Sequence, residues 1–490
     1  MFKKFFLPLL MVLLFVNTPN LQTITPLGVY QIGSDEMNLN ENSIYAFNGK
    51  IISAHNSSNN SVEAYMSNDH DITWKSLNFE GNYCDPSVVV SNNGNIYIGT
   101  VGLSGPSKFT TVSVNYGKYW YSLYPGEVTF SDKPYLWYDN MNDIVYYSAY
   151  TGNKTFKIFK FNNIVGFEPI HVISLGNNEE IPPQGDPSIR ITSNNSGCIF
   201  AVFNDYYDVY FTKTEDNYCL PADNNYEFTD ELLVSTDNWQ FSSPTIAVNS
   251  DGSNILLCYT KNSNNKDISI RRSTNGGLGF EEKINGIPTD GIQFHPWISY
   301  CNGGLIELFA FVFYDGSDGQ KIKIAYSTNA GDNWNTYPLA NINNFIGQNG
   351  GLPDYIGLDI EYYNNLFYLY PVYTDYENGM YKSYIAPISI SFNNEKLLRI
   401  NQIDDISLLQ NLPNPFNPKT EIKFTIGNSS FISLKIFSSD GKLLEKLVDN
   451  YLSAGDYSFV FDGSNYASGI YYYVLESGNS KLIKKMVLIK

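Results

Sequence analysis

The chain has 490 residues, enough for two or three domains, and its 43% hydrophobic content allows sizeable buried cores. A net charge of −18 would repel phosphate backbones, which argues against nucleic acid as a partner. Only 16% of the residues are charged, while 16% are aromatic, including 39 Tyr. This composition is typical of half-buried β-strands joined by polar turns.

The N-terminus has the pattern of a secretory signal peptide. Lys3 and Lys4 form a basic start, and residues 5–16 are an apolar run. This run is too short to cross a hydrocarbon core of roughly 30 Å. We therefore predict that residues 1–20 are a signal peptide and that the mature protein has no membrane span. A membrane anchor at the N-terminus is the alternative.

The five cysteines are Cys84, Cys198, Cys219, Cys258 and Cys301. They lack CxxC spacing, which argues against a zinc site or a redox dithiol, and we assign no metal ligand. Because their number is odd, at least one thiol is free or pairs between chains. Only Cys198 and Cys219 are close enough in sequence to suggest a local disulfide, and buried free thiols are the favoured interpretation.

A unit of strand, tight polar turn and strand recurs along the chain. Clear copies begin at Asp85, Asp132, Asp186, Ser243, His295 and Asp354, and a less regular copy begins at Asn42. The copies start about 40 to 60 residues apart, the length of a four-stranded propeller blade. We predict an all-β chain with a seven-bladed β-propeller over residues 26–392, or six blades if the Asn42 copy is a decoration. Residues 26–33 could supply the outer strand of the last blade and close the ring, which removes exposed sheet edges.

A second motif, Ser-x-Asn/Asp-x-Gly-x-x-aromatic, recurs between predicted strands. Its four copies place these residues at equivalent positions: Ser67, Asp69 and Trp74; Ser113, Asn115, Gly117 and Trp120; Ser273, Asn275, Gly277 and Phe280; Ser327, Asn329, Gly331 and Trp334. The first copy has Asp71 in place of the glycine. We expect the Asn or Asp side chain to accept from backbone amides two residues on, the Gly to take a positive φ, and the aromatic to anchor the next strand.

These four boxes resemble the Asp-box (BNR) repeats of sialidase-like propellers, and the stretch from Ser235 resembles a degenerate fifth. In that family the boxes lie on outer turns, away from the active site. The resemblance therefore implies a structural role for them and identifies no chemistry.

The sequence pattern changes from about Leu408. Short strands with period-two alternation and glycine turns then predict a small immunoglobulin-like β-sandwich over residues 408–490, joined by a linker at 393–407. The segments "NPFNP" (414–418), "SSDGK" (438–442), "AGDY" (454–457), "SGIYYY" (468–473) and "KKMVLIK" (484–490) closely resemble the type A sorting domain of the type IX secretion system. The resemblance implies export through the type IX machinery of a Gram-negative bacterium. The protein would then be secreted or held at the outer-membrane surface. A common C-terminal adhesive sandwich is the alternative.

A conventional sialidase is not supported by the arginines. That family grips its substrate carboxylate with three Arg, but this chain has only Arg190, Arg271, Arg272 and Arg399. Arg399 lies in the predicted linker, and the adjacent Arg271 and Arg272 should point to opposite faces of a strand. No HExxH, GxSxG or P-loop motif is present, so we assign no catalytic residue.

The residues that begin the predicted blades form the candidate ligand site. At the channel mouth of a propeller we expect Asp85, Asp132, Asp186, Arg190, His295 and Asp354, with Asp132 one position further from its proline than the others. These residues either cap local turns or line an acidic, Tyr-rich bowl that binds a glycan, a cation or a basic protein. "DGSDG" (315–319) could hold Ca²⁺, although a plain turn is favoured and no cofactor is expected. We predict a non-catalytic glycan- or protein-binding module, with a divergent extracellular glycoside hydrolase as the alternative.

Overall fold

The structure is a computed structural model of the chain. It describes residues 21–33, 39–47, 49–57, 61–68, 73–78, 83–102, 110–114, 119–123, 132–150, 155–162, 166–174, 187–205, 207–216, 219–220, 226–239, 241–263, 266–284, 286–287, 291–304, 306–317, 319–343, 356–393, 406–426, 430–453, 455–477 and 480–490. The predicted signal peptide and most of the predicted linker lie outside these residues. The regular structure of the described residues is almost entirely β-strand, as predicted, and none of their helices could span a bilayer.

Six four-stranded antiparallel sheets follow one another along the chain, and in each the strands pair in sequence order. Their strands are β3 (Leu39–Phe47), β4 (Lys50–Ser57), β5 (Ser61–Ser67) and β6 (Lys75–Ser76); β7 (Tyr83–Val90), β8 (Ile96–Gly102), β9 (Thr110–Val114) and β10 (Tyr119–Leu123); β11 (Asp132–Asp139), β12 (Ile144–Tyr150), β13 (Thr155–Asn162) and β14 (Gly166–Ser174); β15 (Ser188–Ser193), β16 (Ile199–Asp205), β17 (Asp208–Lys213) and β18 (Leu232–Ser235); β19 (Thr245–Val248), β20 (Ile255–Thr260), β21 (Ile268–Ser273) and β22 (Glu281–Glu282); β23 (Gln293–Asn302), β24 (Glu307–Asp315), β25 (Lys321–Ser327) and β26 (Asn335–Asn341). The predicted strand–turn–strand units form the first two strands of these sheets. The Asn42 copy belongs to a full four-stranded sheet.

A seventh sheet joins the two ends of this region. It contains β27 (Gly357–Tyr363), β28 (Leu366–Glu377), β29 (Met380–Ile385) and β30 (Ile388–Asn393), together with β1 (Leu21–Pro26) and β2 (Tyr30–Ile32). β1 pairs with β30 and β2 pairs with β29. The expectation that residues 26–33 add an outer strand to the last sheet is therefore confirmed. No sheet in the described part of the chain closes on itself.

Seven hydrophobic clusters connect these sheets. Each contains buried side chains from two consecutive sheets, because the strands are apolar on both faces and burying both faces requires a sheet on each side. Representative members from the two sheets are Ile52 and Val88, Val89 and Leu136, Tyr146 and Ile189, Phe200 and Ile246, Leu256 and Phe309, Leu308 and Leu358, and Val372 and Ile44. The last cluster joins the seventh sheet to the first.

The Ser-x-Asn-x-Gly-x-x-aromatic turns connect third and fourth strands. In the last copy the buried Ser327 hydroxyl donates to Asn329 Oδ1 (2.8 Å) and accepts from the Gly331 amide (2.9 Å). Gly331 has a φ of 81°, as predicted. The expectation that the Asn accepts from an amide two residues on is wrong here. Its side chain accepts instead from the Ser hydroxyl and from the Asn333 amide four residues on (3.1 Å).

The copy at 273–280 has the same geometry, with Ser273 Oγ 2.7 Å from Asn275 Oδ1 and 2.9 Å from the Gly277 amide. Its Phe280 packs edge-on against Phe211 of the preceding sheet, with ring centroids 5.1 Å apart. In the two earlier copies Trp74 and Trp120 are described, whereas Asp69, Asn115 and Gly117 lie outside the described residues. Trp120 Nε1 donates to Leu77 O of the preceding sheet (3.2 Å). The stretch from Ser235 follows a fourth strand, so it does not occupy the position of the other copies.

Cys198 and Cys219 form a disulfide. The favoured interpretation that the thiols are buried and free was therefore wrong for this pair, because the loop after β17 returns to the start of β16. Cys84, Cys258 and Cys301 form no disulfide within the described residues.

The C-terminal region folds around its own core. One sheet contains β31 (Ile406–Leu408), β32 (Lys419–Ile426) and β35 (Gly455–Asp462). The other contains β33 (Ser430–Ser438), β34 (Leu443–Leu452), β36 (Gly469–Ser477) and β37 (Ser480–Leu488). Side chains such as Phe424 from the first sheet and Leu434 from the second belong to one hydrophobic cluster, as expected for a sandwich. A 3-10 turn at Gly463–Asn465 follows β35.

Candidate functional site

A β-bulge recurs at the start of the first strand in four of the described sheets. One non-glycine residue of each bulge has a positive φ, which is uncommon for a residue with a Cβ. These residues are Glu41 (53°), Asp85 (54°), Lys133 (46°) and His295 (52°). In three of the four, proline comes next, and proline suits a bulge because it has no N–H to pair. The bulges therefore place these four side chains at equivalent positions.

Neighbouring sheets hold these bulges through hydrogen bonds. The Asp85 amide donates to Asn56 Oδ1 of the preceding sheet (2.8 Å), and the His295 amide donates to Thr260 Oγ1 (3.0 Å). The side chain of Asp85 lies 3.4 Å from Asn56 Nδ2. The carboxylate of Asp85 therefore contacts a side chain of the preceding sheet.

In three sheets, a serine or threonine two residues after the bulge, or at the equivalent position of β19, links the first strand to the next sheet. Ser43 Oγ accepts from the Val88 amide (3.0 Å), and Ser87 Oγ accepts from the Leu136 amide (2.9 Å). Thr245 Oγ1 accepts from the Ile298 amide (3.3 Å). These hydroxyls therefore connect neighbouring sheets through hydrogen bonds from main-chain amides.

The predicted ring of blade-starting residues is only partly described. Asp186 and Asp354 lie outside the described residues, and the side chain of Asp132 does too, although its backbone begins β11. Lys133, not Asp132, has the bulge conformation that Asp85 and His295 share. The proline rather than the aspartate sets the alignment, so a lysine stands where the sequence interpretation placed a carboxylate.

Two sheets replace the linking serine with an aromatic residue, and these aromatics meet. Tyr135 of β11 and Trp297 of β23 come from non-adjacent sheets, yet their ring centroids are 5.9 Å apart. The Arg190 guanidinium of β15 lies 5.1 Å from the Tyr135 ring and 5.5 Å from the Trp297 ring. Arg190 is buried, whereas both aromatic rings are half-buried. A cation over two ring faces is a favourable arrangement.

Lys133 and His295 lie on the same two strands, two residues before these aromatics. We call the basic pair and the aromatic pair the two tiers of the site. Lys133 and His295 are almost fully buried, at 2% and 4% exposure. Burial lowers the pKa of His295 to about 3, and the charge of Lys133 adds to that effect. Arg190 Nη1 donates to the main-chain oxygen of Lys133 (3.4 Å), which connects the two tiers.

Asp359 of β27 completes the group. Its carboxylate accepts from the Ala46 amide (2.7 Å) and from the Ile360 amide (2.9 Å). Burial raises its pKa to about 7, although these hydrogen bonds oppose the shift. Its charge also raises the pKa values of Tyr45 and Tyr135, for which burial is the main cause.

We call Lys133, Tyr135, Arg190, His295, Trp297 and Asp359 the central cluster, because it lies where the first strands of several sheets meet. It offers ring faces for stacking, nitrogen donors for an oxygen-rich ligand, and a carboxyl that can exchange a proton near neutral pH. The sequence analysis identified Arg190 and His295 but missed the other four residues. A signal was present, since Lys-Pro-Tyr and His-Pro-Trp depart from the Asp-Pro-Ser and Ser-Pro-Thr of the other repeats.

The other described arginines do not join this cluster. Arg272 pairs with Glu281 (2.9 Å) and with Asp332 (2.8 Å), next to a Ser-x-Asn-x-Gly turn. Arg271 Nε donates to Tyr259 Oη (3.3 Å). The three described arginines therefore do not converge at one place.

The "DGSDG" turn is also occupied by protein groups. The buried Asp315 carboxylate forms an ion pair with Lys323 and accepts from the Ser317 amide (2.7 Å). Burial acts to raise its pKa, but Lys323 and Ser317 outweigh burial and lower it.

Three solved structures illustrate distant likenesses to this chain. An unknown-function protein from Dyadobacter fermentans is 13% identical, with 62% of this chain and 98% of that chain covered and a TM-score of 0.42. A PL25 ulvan lyase is 12% identical, with 73% and 96% covered and a TM-score of 0.48. The SapL1 lectin in complex with α-methyl fucoside is 12% identical, with 62% and 96% covered and a TM-score of 0.40. All three TM-scores are below 0.5, so we base no functional argument on them.

None of the curated proteins matches the chain. Residues 412–490 match the family described as the secretion system C-terminal sorting domain, which confirms the resemblance seen in the tail. The chain therefore carries a type IX sorting domain and is an extracellular protein, either secreted or displayed at the cell surface.

Proposed function

We propose that the seven sheets of residues 21–393 are the blades of a β-propeller. The cyclic order of the hydrophobic clusters supports this arrangement, since the seventh cluster pairs the last sheet with the first. The pairing of β1 and β2 with the last sheet supports it as well. The turns at 273–280 and 327–334 would then be Asp-boxes on its outer rim, and the first strands would line its axis.

The protein would act as a non-catalytic module that binds an extracellular glycan at the propeller axis. The observation that carries this proposal is the meeting of Tyr135 and Trp297 beside Arg190. Half-buried aromatic rings suit sugars because a pyranose presents an apolar face to a ring and hydroxyls to nearby donors. Tyr135 and Trp297 occupy the strand position that holds a serine or threonine in other sheets. The fold itself therefore does not require aromatic rings there.

We propose that the remaining predicted site residues surround this centre. Arg190 and His295 belong to the central cluster, and Asp85 lies at an equivalent bulge on a neighbouring sheet. Asp132, Asp186 and Asp354 remain proposed members of the same axial surface. A basic extracellular protein is the alternative partner, and it would use the carboxylates rather than the rings.

A glycan array with the full-length protein tests this proposal. Trp297→Ala should abolish binding while leaving the melting temperature within a few degrees, because the ring is half-buried. The matched control is Tyr363→Ala, an exposed aromatic at the end of β27, which should bind as the unchanged protein does. Retained binding in folded Trp297→Ala would contradict the proposal.

Glycan cleavage is a second candidate function, favoured by the pKa of about 7 at Asp359. We favour binding over cleavage because two backbone amides already hold that carboxylate. Release of reducing ends from the glycans that bind, and its loss in Asp359→Asn, would favour cleavage instead.

A further inference from the structure

The central cluster concentrates basic side chains within a strongly acidic chain. The net charge of the protein is −18, and it contains only 31 Lys and Arg among 490 residues. Lys133, Arg190 and His295 are nevertheless brought together from three different sheets. All three are more than nine-tenths buried. Burial of basic groups is costly, so their convergence at one place calls for an explanation.

The basic groups and the aromatic rings are arranged in two tiers. Lys133 and His295 form one tier, and Tyr135 and Trp297 form the other, each pair spanning β11 and β23. Arg190 contacts both, because it lies over the two rings and donates to the main-chain oxygen of Lys133. A sugar stacked on either ring would therefore have its substituents close to nitrogen donors.

His295 supplies an independent observation. Its Nε2 is buried and has no hydrogen-bond partner among the described residues. A buried polar atom without a partner is destabilising, and an oxygen from a ligand would remove that cost.

We propose that the glycan bound at the central cluster is acidic, with the carboxylate of a uronic acid directed toward Arg190 and its neighbours. This inference rests on the proposed glycan-binding function and narrows it to one substrate class. A guanidinium donates charge-assisted hydrogen bonds to a carboxylate, and such bonds strengthen in a poorly hydrated site. The Trp297 or Tyr135 ring would receive the sugar face.

Uronate polymers and their carboxyl-reduced forms provide the test. Polygalacturonate, alginate and hyaluronan are each compared with the matching polymer in which –COOH has become –CH₂OH, so that only the charged group differs. Binding to the full-length protein is measured by calorimetry. We expect at least one uronate to bind about tenfold or more tightly than its reduced form, as the loss of one charge-assisted contact implies. Raising the salt from about 50 mM to about 500 mM should weaken that binding.

Arginine variants then locate the effect. Arg190→Met should remove the preference for the carboxylate form, whereas Arg271→Met, on the third strand of a different sheet, should keep it. The melting temperature of each variant is measured first. If Arg190→Met does not fold, the comparison of each uronate with its reduced form on the unchanged protein still tests whether the carboxylate is preferred.

Equal affinity for the two forms of a polymer would overturn this inference but leave glycan binding intact. Failure of all three uronates to bind would also overturn it. If neutral glycans on the array bind in that case, the proposed function stands. If they do not bind either, the proposed function fails together with the inference.

Discussion

At the scale of single residues, the glycines in the Ser-x-Asn-x-Gly turns are constrained both by their backbone conformation and by contact with the preceding sheet. Gly331 has a φ of 81°, and a Cβ on it would lie 2.5 Å from Leu256 Cδ2 of the preceding sheet. Gly379 has a similar φ of 84° but nothing within 4 Å of the same position. Comparing substitutions at Gly331 and Gly379 therefore separates the free-energy cost of the backbone conformation from the cost of crowding between sheets.

We expect Gly331→Ala to be clearly more destabilising than Gly379→Ala. The left-handed conformation costs roughly 1–2 kcal/mol in either variant. Crowding against the fully buried Leu256 adds about 1–3 kcal/mol at Gly331 alone. Urea denaturation of both variants measures the difference. Equal losses of unfolding free energy would show that the turn does not press on the neighbouring sheet.

Asp359 predicts a pH dependence of stability. Its pKa is about 7 in the folded protein against an ordinary value of 3.8, so between these values the folded state binds more protons than the unfolded state. The contribution of Asp359 to the unfolding free energy is therefore fully present below about pH 4 and is lost as the pH rises to about 7.

The variant Asp359→Asn isolates this contribution. We expect the stability of the unchanged protein, relative to Asp359→Asn, to fall between about pH 4 and 7 and to stay constant above that range. Denaturation at several pH values gives the difference directly, and the histidines cancel because both proteins contain them. A difference that does not change with pH would mean that the carboxyl is ionised in the folded state throughout.

At the scale of elements, the seventh sheet depends on strands from far away in the sequence. β1 and β2 pair with β30 and β29, and Ile32 of β2 is buried in the cluster that also contains Ile44 and Val372. Without these strands the seventh sheet would expose two edges and part of the cluster joining it to the first sheet.

We therefore expect deletion of residues 21–33 to lower the melting temperature and to increase amide exchange at Ser383–Ile385, the partners of β2. Amides in the sheet of β15 to β18 serve as the internal control and should keep their protection. Unchanged exchange at residues 383–385 would show that β2 contributes no stability to the sheet.

At the scale of the whole molecule, the sorting domain has a hydrophobic core of its own. Its hydrophobic cluster draws only on residues 406–488. The first of its strands begins at Ile406, two residues before the boundary that the sequence suggested.

Removing residues 406–490 should leave cooperative unfolding of residues 21–393 intact and should abolish export by the native host. Calorimetry of the shortened protein tests the first part. Its appearance in culture medium or at the cell surface tests the second. Loss of cooperativity would contradict the separation into two units, and continued export would contradict the role of the tail.

Several features of this protein depend on local pattern and could be recognised from the sequence alone. Strand–turn–strand units are visible because each strand is apolar and each turn contains Asn, Asp or Gly. Seven such units are present in residues 42–392, and all seven occur as predicted. The sorting tail was recognisable because its motifs are short and specific, as the match over residues 412–490 confirmed.

The candidate site depends on contacts that the sequence does not reveal. Tyr135, Arg190 and Trp297 are distant in the chain and meet only because the first strands of different sheets approach one another. Lys133, not Asp132, takes the position of Asp85 and His295 because it directly precedes the proline of its repeat, as they do. Cys198 and Cys219 paired because the folded path of the loop after β17 brings them together. Sequence pattern therefore determined which elements form, and tertiary packing determined which side chains share a site, because packing distances between sheets are not encoded in local periodicity.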